Sequence, residues 1–569
     1  MNTPVQTPVP APVSTPVPTA ILTAIPTAVP AAIPTPMPMP TAMAGPKQTS
    51  ITVDTLLSSA AGLSAAWMVE MATRYFALQA GDINGAFGVG IDTGSWLSTA
   101  YSVFEPIGVI IGAWLGIALS LRRMLLTGVV MFLIGSIIPL IVPNYDALML
   151  SRIITGLAGG VIMPQSIIIQ LRAWGPTRAP LAIALFLCGP TAAPQLGGVL
   201  GAWGVEHFGW SFVLWAALPP GILALMLGYT GLHRERIQWR PLVHADLAGL
   251  VALSAALGLF ACAVSQGDRM RWFQTPAIPI LFMASALCLA IFVLRDWSKL
   301  RHPIVWVRLY RRWNVTLAAI GGLPLGFAIT LSGVIVPAAL AQLQGFRPEQ
   351  VAPALWNVLW PQALSYTACV IILTRKMIEV RALVIAGLAV VACGAFFNLQ
   401  ITSEWQVGEL YVGQLIQGVG LPLIAVPLIA IFVGSLRPPV ESLPAASILN
   451  LWRVLSATIA TAWATTSLRL NSQGKFAELL TNTGLYQDGR GTSLATLAAR
   501  MAHTTSDPAF ARAQAVQSIA GAAHRQAAVL GVSSTLSALG WLLFASGLLV
   551  VLMAEFGSGK TPRPAGDGA

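Results

Sequence analysis

The sequence contains little charge. Charged residues make up 9% of its 569 residues, whereas a soluble domain typically contains about 25%. Hydrophobic residues make up 56%, and the mean hydropathy is +0.73. A soluble protein of this length interrupts its apolar segments with charge at the period of a helix or a strand. The shortage of charge therefore excludes a soluble globular protein.

Sequence features of several kinds of chemistry are also absent. The chain contains no Gly-x-x-x-x-Gly-Lys-Ser/Thr phosphate loop, so we expect that ATP does not drive it directly. The six histidines and the acids show no metal-ligand spacing. The five cysteines are widely separated, which predicts buried thiols and neither disulfides nor a metal site. We predict that the protein is not an enzyme and that it uses no cofactor and no metal.

Long apolar runs fill the chain from about residue 60 to 554. A run of 18 or more apolar residues is typical of a membrane-spanning helix. The sequence therefore predicts an all-α polytopic membrane protein with 14 transmembrane helices. Their predicted ranges are 60–79, 95–119, 124–142, 147–171, 180–203, 211–232, 244–266, 276–297, 314–340, 351–374, 382–400, 408–434, 444–468 and 529–553.

The connections between the apolar runs alternate in charge. Basic connections, such as the one with Arg122 and Arg123, alternate with connections that carry acids, such as Asp82 and Asp92. Basic connections of membrane proteins face the cytoplasm. An even number of helices then places both termini in the cytoplasm. The net charge of +11 is explained by this topology, and we predict no nucleic-acid partner.

The order of the apolar runs predicts six helices, a two-helix insert and six further helices. The two sets of six contain a weak internal repeat, because LSRIITGLAGG at 150–160 resembles VGQLIQGVGLP at 412–422. Many transporters are built from such repeats, with the substrate site between them. The predicted domains are a disordered Pro/Thr/Ala-rich cytoplasmic tail (1–57), an N-terminal bundle (58–232), the insert (243–297), a C-terminal bundle (313–553) with a long periplasmic loop (469–528), and a cytoplasmic tail (554–569).

Several motifs occur in the order and spacing of a known family. They are GSWLSTAYSV at 94–103, SRIITGLAGG at 151–160, CGPTAAPQLGG at 188–198, GWSFVLWAALPPG at 209–221, HPIVWVRLYRRWNV at 302–315 and LRPPVESLPAASILNLWRVLSATIA at 436–460. Together they resemble the fourteen-helix drug:proton antiporters of the major facilitator superfamily, the EmrB/QacA type. The long outer segment before the last helix makes the resemblance closest to EmrB-like inner-membrane multidrug efflux subunits. The resemblance implies the major facilitator fold.

The resemblance also implies a function. It implies an efflux transporter in the bacterial inner (cytoplasmic) membrane that uses the proton-motive force to export hydrophobic or amphiphilic small molecules by alternating access. Its partners would be the substrate, protons and membrane lipids, together with a periplasmic membrane-fusion adaptor and an outer-membrane channel. Two alternatives remain open. One is a proton-coupled uptake permease for a small organic acid, because the fold is shared; the other is a non-transporting membrane scaffold or sensor.

The sequence departs from the family pattern at two places. The Asp-x-Thr motif of helix 1, with its following Asn and Pro, is replaced by Ala72, Arg74, Ala77 and Gly81. The loop after helix 2 reads AWLGIALSLRR and lacks the family's acid. These departures are compatible with a narrow or unusual substrate.

Ionisable residues inside a membrane are costly, so each is a functional candidate. Glu70 and Arg74 lie four residues apart on helix 1 and share a face, which predicts an ion pair that a proton on Glu70 would loosen. Glu105 is a second candidate for protonation. Arg152 matches the helix-4 arginine that is linked to proton transfer in the family, and an arginine does not deprotonate, so it would act on a neighbouring acid or hold an anion. These four residues are the predicted proton-coupling group.

Two further groups of candidates lack an acid. The helix-5 motif contains prolines that bend a helix and glycines that permit close helix contact, which suits a gate between the halves. Its predicted gating residues are Gly189, Pro190, Pro194, Gly197 and Gly198. Aromatic residues with a few polar groups are typical of a small-molecule cavity. The predicted cavity residues are Tyr75, Trp356, Asn357, Trp360, Gln362, Gln414, Asn450, Trp452 and Arg453, with Trp67 as a further aromatic candidate.

Overall fold

The computed structural model describes residues 51–237, 246–298, 313–436, 442–482, 499–500 and 508–558. Within these ranges every regular element is a helix, which confirms the predicted all-α class. Most of the predicted N-terminal tail (1–50), the middle of the predicted periplasmic loop and the end of the C-terminal tail lie outside the described residues.

Fourteen long helices follow one another in the described residues. Three of them are composite: α5 contains a π-helical segment (Cys188–Ala192), α6 begins with the short helix Phe212–Trp215, and α9 contains a second π-helical segment (Leu331–Ile335). The helices are α1 Val53–Leu78, α2 Ile91–Leu119, α3 Leu121–Ile141, α4 Tyr145–Trp174, α5 Ala179–Leu187 continuing as Ala193–Phe208, α6 Leu218–Gly231, α7 Leu247–Gly267, α8 Ala277–Ser298, α9 Trp313–Thr330 continuing as Val336–Gln344, α10 Pro348–Thr374, α11 Val380–Phe397, α12 Tyr411–Gly434, α13 Ser442–Asn482 and α14 Pro508–Ser558.

Thirteen of the described helices are long and apolar enough to cross a membrane. The remaining long helix is α1, whose 26 residues exceed the roughly 20 that a span requires. Glu70 and Arg74 lower its hydropathy. Since α1 packs against α4, α5 and α6, we count it as the fourteenth span.

The helix boundaries follow local capping chemistry. Thr52 caps α1 by accepting a hydrogen bond from the backbone N–H of Thr55, so the helix begins at Val53 and includes five residues that we assigned to the N-terminal tail. Asn144 caps α4 in the same way at Ala147. At the other end of α4, Gly175 adopts φ +68°, a conformation that favours glycine and stops the helix.

The predicted periplasmic loop (469–528) is helical at both of its ends. α13 continues to Asn482 and α14 begins at Pro508, so both helices extend well past their predicted ends near the loop. The extensions touch each other, because Phe476 of α13 packs edge-on against His524 of α14, with ring centroids 5.5 Å apart. The segment is rich in alanine and glutamine, which favour helix once a neighbouring helix supplies packing. α14 also runs to Ser558, beyond the predicted boundary at 554.

Close crossings join α2 to α4 and α10 to α12. A Cβ at Gly160 on α4 would lie 2.1 Å from the carbonyl oxygen of Glu105 on α2. A Cβ at Gly418 on α12 would lie 2.5 Å from the carbonyl oxygen of Val358 on α10. Glycine allows such an approach because it carries no side chain. The internal repeat seen in the sequence thus corresponds to two equivalent helix crossings.

The two sets of six helices share a hydrophobic core at one end. That core contains Leu125 and Ile168 from the first set, and Cys369, Ala425 and Leu443 from the second. These residues lie toward the helix ends that the basic connections join. Two other cores are each restricted to one set: the first contains Tyr75, Leu97 and Phe212, and the second contains Leu340, Val351 and Leu410. The shared core closes the space between the sets on the side of the basic connections.

The insert packs on one side of the bundle. Leu253 and Leu257 of α7 and Phe292 of α8 form a small core with Ile110 of α2. α7 also contacts α13, so the insert touches both sets of six helices. The cysteines are less buried than predicted, because Cys369 is buried, Cys393 is exposed, and Cys188, Cys262 and Cys288 are half-buried.

Candidate functional site

One arginine of the second set of helices lies between two carboxylates of the first set. Nη1 of Arg453 on α13 lies 2.9 Å from Oε1 of Glu70 on α1. Its Nη2 lies 3.1 Å from Oε1 of Glu105 on α2. The three side chains are only 12–16% exposed. We call Glu70, Glu105 and Arg453 the charge triad.

The charge triad joins three helices that are far apart in sequence. Arg453 follows Glu70 by 383 residues and Glu105 by 348. Buried charges persist only when they are paired and hydrogen-bonded. The triad therefore ties α13 to α1 and α2, and its strength depends on whether the two carboxyls are ionised.

The predicted Glu70–Arg74 ion pair is wrong. Nη1 of Arg74 donates a hydrogen bond to the carbonyl oxygen of Gly333, in the π-helical segment of α9. Its Nε and Nη2 are buried and have no hydrogen-bond partner among the described residues. The spacing i, i+4 places two side chains on one face of a helix. It does not decide whether they pair with each other or with groups on another helix.

Arg152 is held by aromatic rings. Its guanidinium carbon lies 4.1 Å from the ring centroid of Phe76 on α1 and 4.4 Å from that of Tyr101 on α2. Such cation–π contacts stabilise a desolvated guanidinium by roughly 2 kcal/mol. Among the described residues Arg152 forms no ion pair. It lies over the ring of Tyr101, which is one helical turn from Glu105 on α2. Its proposed influence on an acid stays a prediction.

A cavity of about 510 Å³ lies beside the charge triad, between α1, α5, α9, α12 and α13. Its wall is mostly apolar, with Phe186, Leu325, Ile329 and Phe432 among the larger side chains. The polar groups of the wall include charged residues and hydroxyls. The predicted candidates that line it are Glu70, Arg74, Pro190, Pro194, Trp452 and Arg453.

Several predicted cavity residues lie elsewhere. Trp356 and Trp360 on α10 are 51% and 47% exposed on the outside of the bundle. Asn357 lies between them in sequence and donates to the carbonyl oxygen of Pro353. Proline-containing α10 turns its small and aliphatic residues toward α5 and α12, so these three positions face away from the cavity. These three residues do not line the cavity beside the charge triad.

The other misplaced candidates are buried in helix packing. Tyr75 packs edge-on against Phe212, with ring centroids 5.7 Å apart. Asn450 donates to the carbonyl oxygen of Ala446 on its own helix. Gln362 and Gln414 are fully buried, and their amides have no hydrogen-bond partner among the described residues. None of these four residues lines the cavity wall. The same is true of Trp67, Glu105, Arg152, Gly189, Gly197 and Gly198.

The helix-5 motif lies at the boundary between the two sets of helices. A Cβ at Gly189 would lie 2.9 Å from Cβ of Ala66, and one at Gly197 would lie 3.1 Å from Cα of Met71, both on α1. A Cβ at Gly198 would lie 2.3 Å from Cδ1 of Leu355 on α10. The π-helical segment surrounds Pro190, and π segments within helices frequently occur at functional sites. A gating role for the motif stays a prediction.

Polar contacts that the sequence did not predict also cross this boundary. Thr191 in the π segment of α5 is hydrogen-bonded to the hydroxyl of Tyr366 on α10. Gln195 of α5 donates to the hydroxyl of Ser332 in the π segment of α9, at 3.1 Å. Gln417 of α12, which belongs to the same set as α9, donates to the same hydroxyl, at 3.0 Å. No spacing rule connects these residues, because each pair joins helices that meet only in the folded protein.

Comparison with known proteins agrees with this architecture. The chain matches the Major Facilitator Superfamily over residues 62–461. A search of solved structures finds the human organic anion transporter MFSD10 (TETRAN), with a TM-score of 0.53 and 13% identity; the match covers 88% of this chain and 100% of that one. At this identity the match shows the shared fold.

Curated relatives are similar over part of their length. The fatty acid resistance protein FarB of Neisseria gonorrhoeae is 26% identical over 46% of this chain and 52% of its own length. The probable multidrug resistance protein EmrY of Escherichia coli is 26% identical over 47% of this chain and 51% of its own. The multidrug export protein EmrB of Haemophilus influenzae is 26% identical over 46% and 51%. The chain thus spans about half the length of the curated relatives it matches, while the superfamily match covers most of the described helices. The chain belongs to the Major Facilitator Superfamily.

Proposed function

We propose that this protein is an efflux transporter that exchanges protons for hydrophobic or amphiphilic small molecules. The observation that carries the proposal is the charge triad, which links the two sets of helices beside an apolar cavity. The names of the relatives support it, since they describe multidrug export and fatty acid resistance.

The charge triad supplies a way to couple protons to a conformational change. A proton on Glu70 or Glu105 removes one negative charge and weakens one of the two bonds to Arg453. The charged groups around these carboxyls are Arg453 on α13, Arg152 on α4 and Arg74 on α1, together with the Tyr101 hydroxyl on α2. Protonation would therefore loosen α13 from α1 and α2 and permit the halves to rock about the cavity.

Alternating access assigns an order to these events. Substrate binds from the cytoplasm or the inner leaflet as the carboxyls lose their protons to the cytoplasm. The ionised carboxyls then bond to Arg453 while the shared core closes the cytoplasmic side, and the substrate leaves to the outside. Protons from the acidic outer side weaken the charge triad and let the transporter open again toward the cytoplasm.

The proposed location is the bacterial inner membrane, with both termini and the basic connections in the cytoplasm. The positive-inside rule supports this orientation. The core shared by both sets of helices then closes the cytoplasmic side. The extensions of α13 and α14 would project into the periplasm, where a membrane-fusion adaptor and an outer-membrane channel are the proposed partners.

Transport in inverted membrane vesicles tests the proposal. Vesicles with an acidic interior should accumulate a lipophilic fluorescent dye when they contain the wild-type protein, and a protonophore should abolish the accumulation. Glu70→Gln and Glu105→Gln each remove one titratable carboxyl at almost unchanged size. We expect each to lower pH-driven accumulation by about tenfold or more, and the double variant to abolish it.

Glu478→Gln is the matched control. Glu478 lies on the extension of α13, pairs with Lys475 and is 56% exposed, so its loss should leave accumulation unchanged. Wild-type accumulation in the double variant, with the protein present in the membrane at equal amount, would contradict proton coupling through the triad. Absence of any pH-driven transport by the wild type would contradict the proposed function itself.

A further inference from the structure

The cavity wall contains a cation that no described residue neutralises. Arg74 lines the cavity, and its Nε and Nη2 have no hydrogen-bond partner among the described residues. The hydrogen bond that it does make, through Nη1, goes to the neutral carbonyl oxygen of Gly333. A buried guanidinium without a counter-charge is costly, so the structure retains it at a price in stability.

The charges around the cavity do not balance. The membrane-embedded groups near it are Arg74, Arg152 and Arg453, against Glu70 and Glu105, which leaves one positive charge in excess when both carboxyls are ionised. The two carboxylates are taken up by Arg453. Phe76 and Tyr101 surround the guanidinium of Arg152. Arg74 is therefore the cation of this group that remains open to a ligand.

The position of Arg74 suits a ligand that spans the cavity. It lies between α5 and α9, since a Cβ at Gly197 would lie 3.4 Å from Cβ of Arg74 and one at Gly333 would lie 4.0 Å from its Nη1. The apolar side chains of Phe186, Leu325 and Phe432 line the same space. One end of the site thus offers a planar cation, and the rest offers an apolar surface.

We propose that Arg74 is the head-group site for amphiphilic organic anions, above all carboxylates with an aromatic or alkyl tail. A guanidinium binds a carboxylate through two parallel hydrogen bonds, which a hydroxyl or an ammonium group does not match. The tail occupies the apolar wall between α5, α9 and α12. The proposal deepens the proposed function, because it names the substrate class of the same cavity. An interior-negative membrane potential also favours the exit of an anion.

A matched set of probes tests the head-group site by binding alone. The probes are 4-hexylbenzoate, 4-hexylbenzyl alcohol and 4-hexylbenzyltrimethylammonium, which share a tail and differ in head-group charge. Binding to the full chain in nanodiscs is measured by isothermal titration at pH 7, with empty nanodiscs as the partition blank. We expect the benzoate to bind about tenfold or more tightly than the alcohol, and the ammonium to bind weakest.

Variants assign the preference to Arg74. Arg74→Gln should bring the affinity for the benzoate down to that for the alcohol while leaving the alcohol unchanged. Arg74→Lys should keep part of the preference, because it keeps the charge and loses the bidentate geometry. Arg122→Gln is the control: Arg122 is also a buried arginine that donates to a backbone carbonyl, that of Tyr229, and it does not line the cavity.

The outcomes separate the two proposals. Equal affinity for benzoate and alcohol, tighter binding of the ammonium, no binding of any probe, or an unchanged preference in Arg74→Gln would each overturn the anion site. The binding measurement requires no pH gradient and no transport. Anion-selective binding without pH-driven transport would therefore support the anion site and contradict the efflux proposal. Transport of the dye without a preference for the anionic probe would support the efflux proposal and contradict the anion site.

Discussion

The first six helices place acids and arginines near the centre of the bundle beside their buried amides, whereas α10 and α12 of the last six place amides there. Glu70, Glu105 and Arg152 lie in the first set. Gln362 and Gln414 lie in the second set and are fully buried. An amide holds its place without titrating, while a carboxyl changes its charge when it takes up a proton.

The helix crossings of the two sets do not show this difference. Gly160 and Gly418 each allow a close approach, of α4 to α2 and of α12 to α10. The helix crossings are therefore repeated in the two sets, whereas the charged side chains are not. The second set contributes Arg453 to the charge triad and most of the apolar wall of the cavity. Under the proposed function, protons would act on the first set and the second set would respond through Arg453.

Removal of Arg453 should break this division most severely. Arg453→Ala leaves two buried carboxylates without their shared cation, and loss of one partner of a buried ion pair costs about 3–5 kcal/mol. We expect a lower thermal unfolding temperature in detergent and no pH-driven transport. Adding Glu70→Gln and Glu105→Gln to this variant should restore the stability, because it removes the unpaired charges, without restoring transport. Wild-type transport by Arg453→Ala would contradict the division of roles.

The repeated crossings should respond alike in both sets. Gly160→Val and Gly418→Val each place a side chain against a backbone carbonyl that cannot move aside. Overpacking of this kind costs about 3 kcal/mol at the upper end of its usual range. We expect both variants to lose most folded protein in size-exclusion chromatography. Gly521→Ala is the control, since a Cβ there meets no described atom within 4 Å. A strong effect of only one of these two variants would show that the two crossings are not equivalent.

Arg152 and Gln414 occupy matching positions of the internal repeat, and replacing each of them compares a charged side chain with an amide. Arg152→Gln removes two cation–π contacts and should cost about 1–2 kcal/mol. It should also shift the pH dependence of transport, because a positive charge near Glu105 is lost. Gln414→Leu removes a buried amide that has no partner among the described residues, and should be neutral or slightly stabilising. Thermal unfolding and transport at several pH values measure both; a larger effect at Gln414 would reverse the comparison.

Most of the fold follows from the sequence alone. Long apolar runs determine the number of helices, and capping residues such as Thr52 and Asn144 determine where they begin. The lengths of α13 and α14 do not follow from the apolar runs, because their extensions are polar. Each extension is stabilised by the other, and a contact between distant segments leaves no local pattern in the sequence.

The sequence indicates the residues of the charge triad but not their contacts. The cost of burying charge singled out Glu70, Glu105 and Arg453. Their arrangement as a triad could not be predicted, because Arg453 reaches its partners across the boundary between the two sets of helices. The tryptophans of α10 were misplaced for a related reason. An aromatic side chain suits a cavity wall and a lipid-facing surface equally well, and the sequence does not say which face of the helix is covered.

The two classes of tryptophan give the smallest expected difference. Trp356 is 51% exposed on the outside of α10, so Trp356→Ala should change stability by less than about 0.5 kcal/mol and leave transport within twofold of wild type. Trp452 lines the cavity beside Arg453 on α13, so Trp452→Ala should weaken substrate binding several-fold through lost apolar contact. Titration of the same lipophilic dye in nanodiscs measures both. Weaker binding in Trp356→Ala than in Trp452→Ala would place the substrate on the outer face of α10 and would move the binding site out of the cavity.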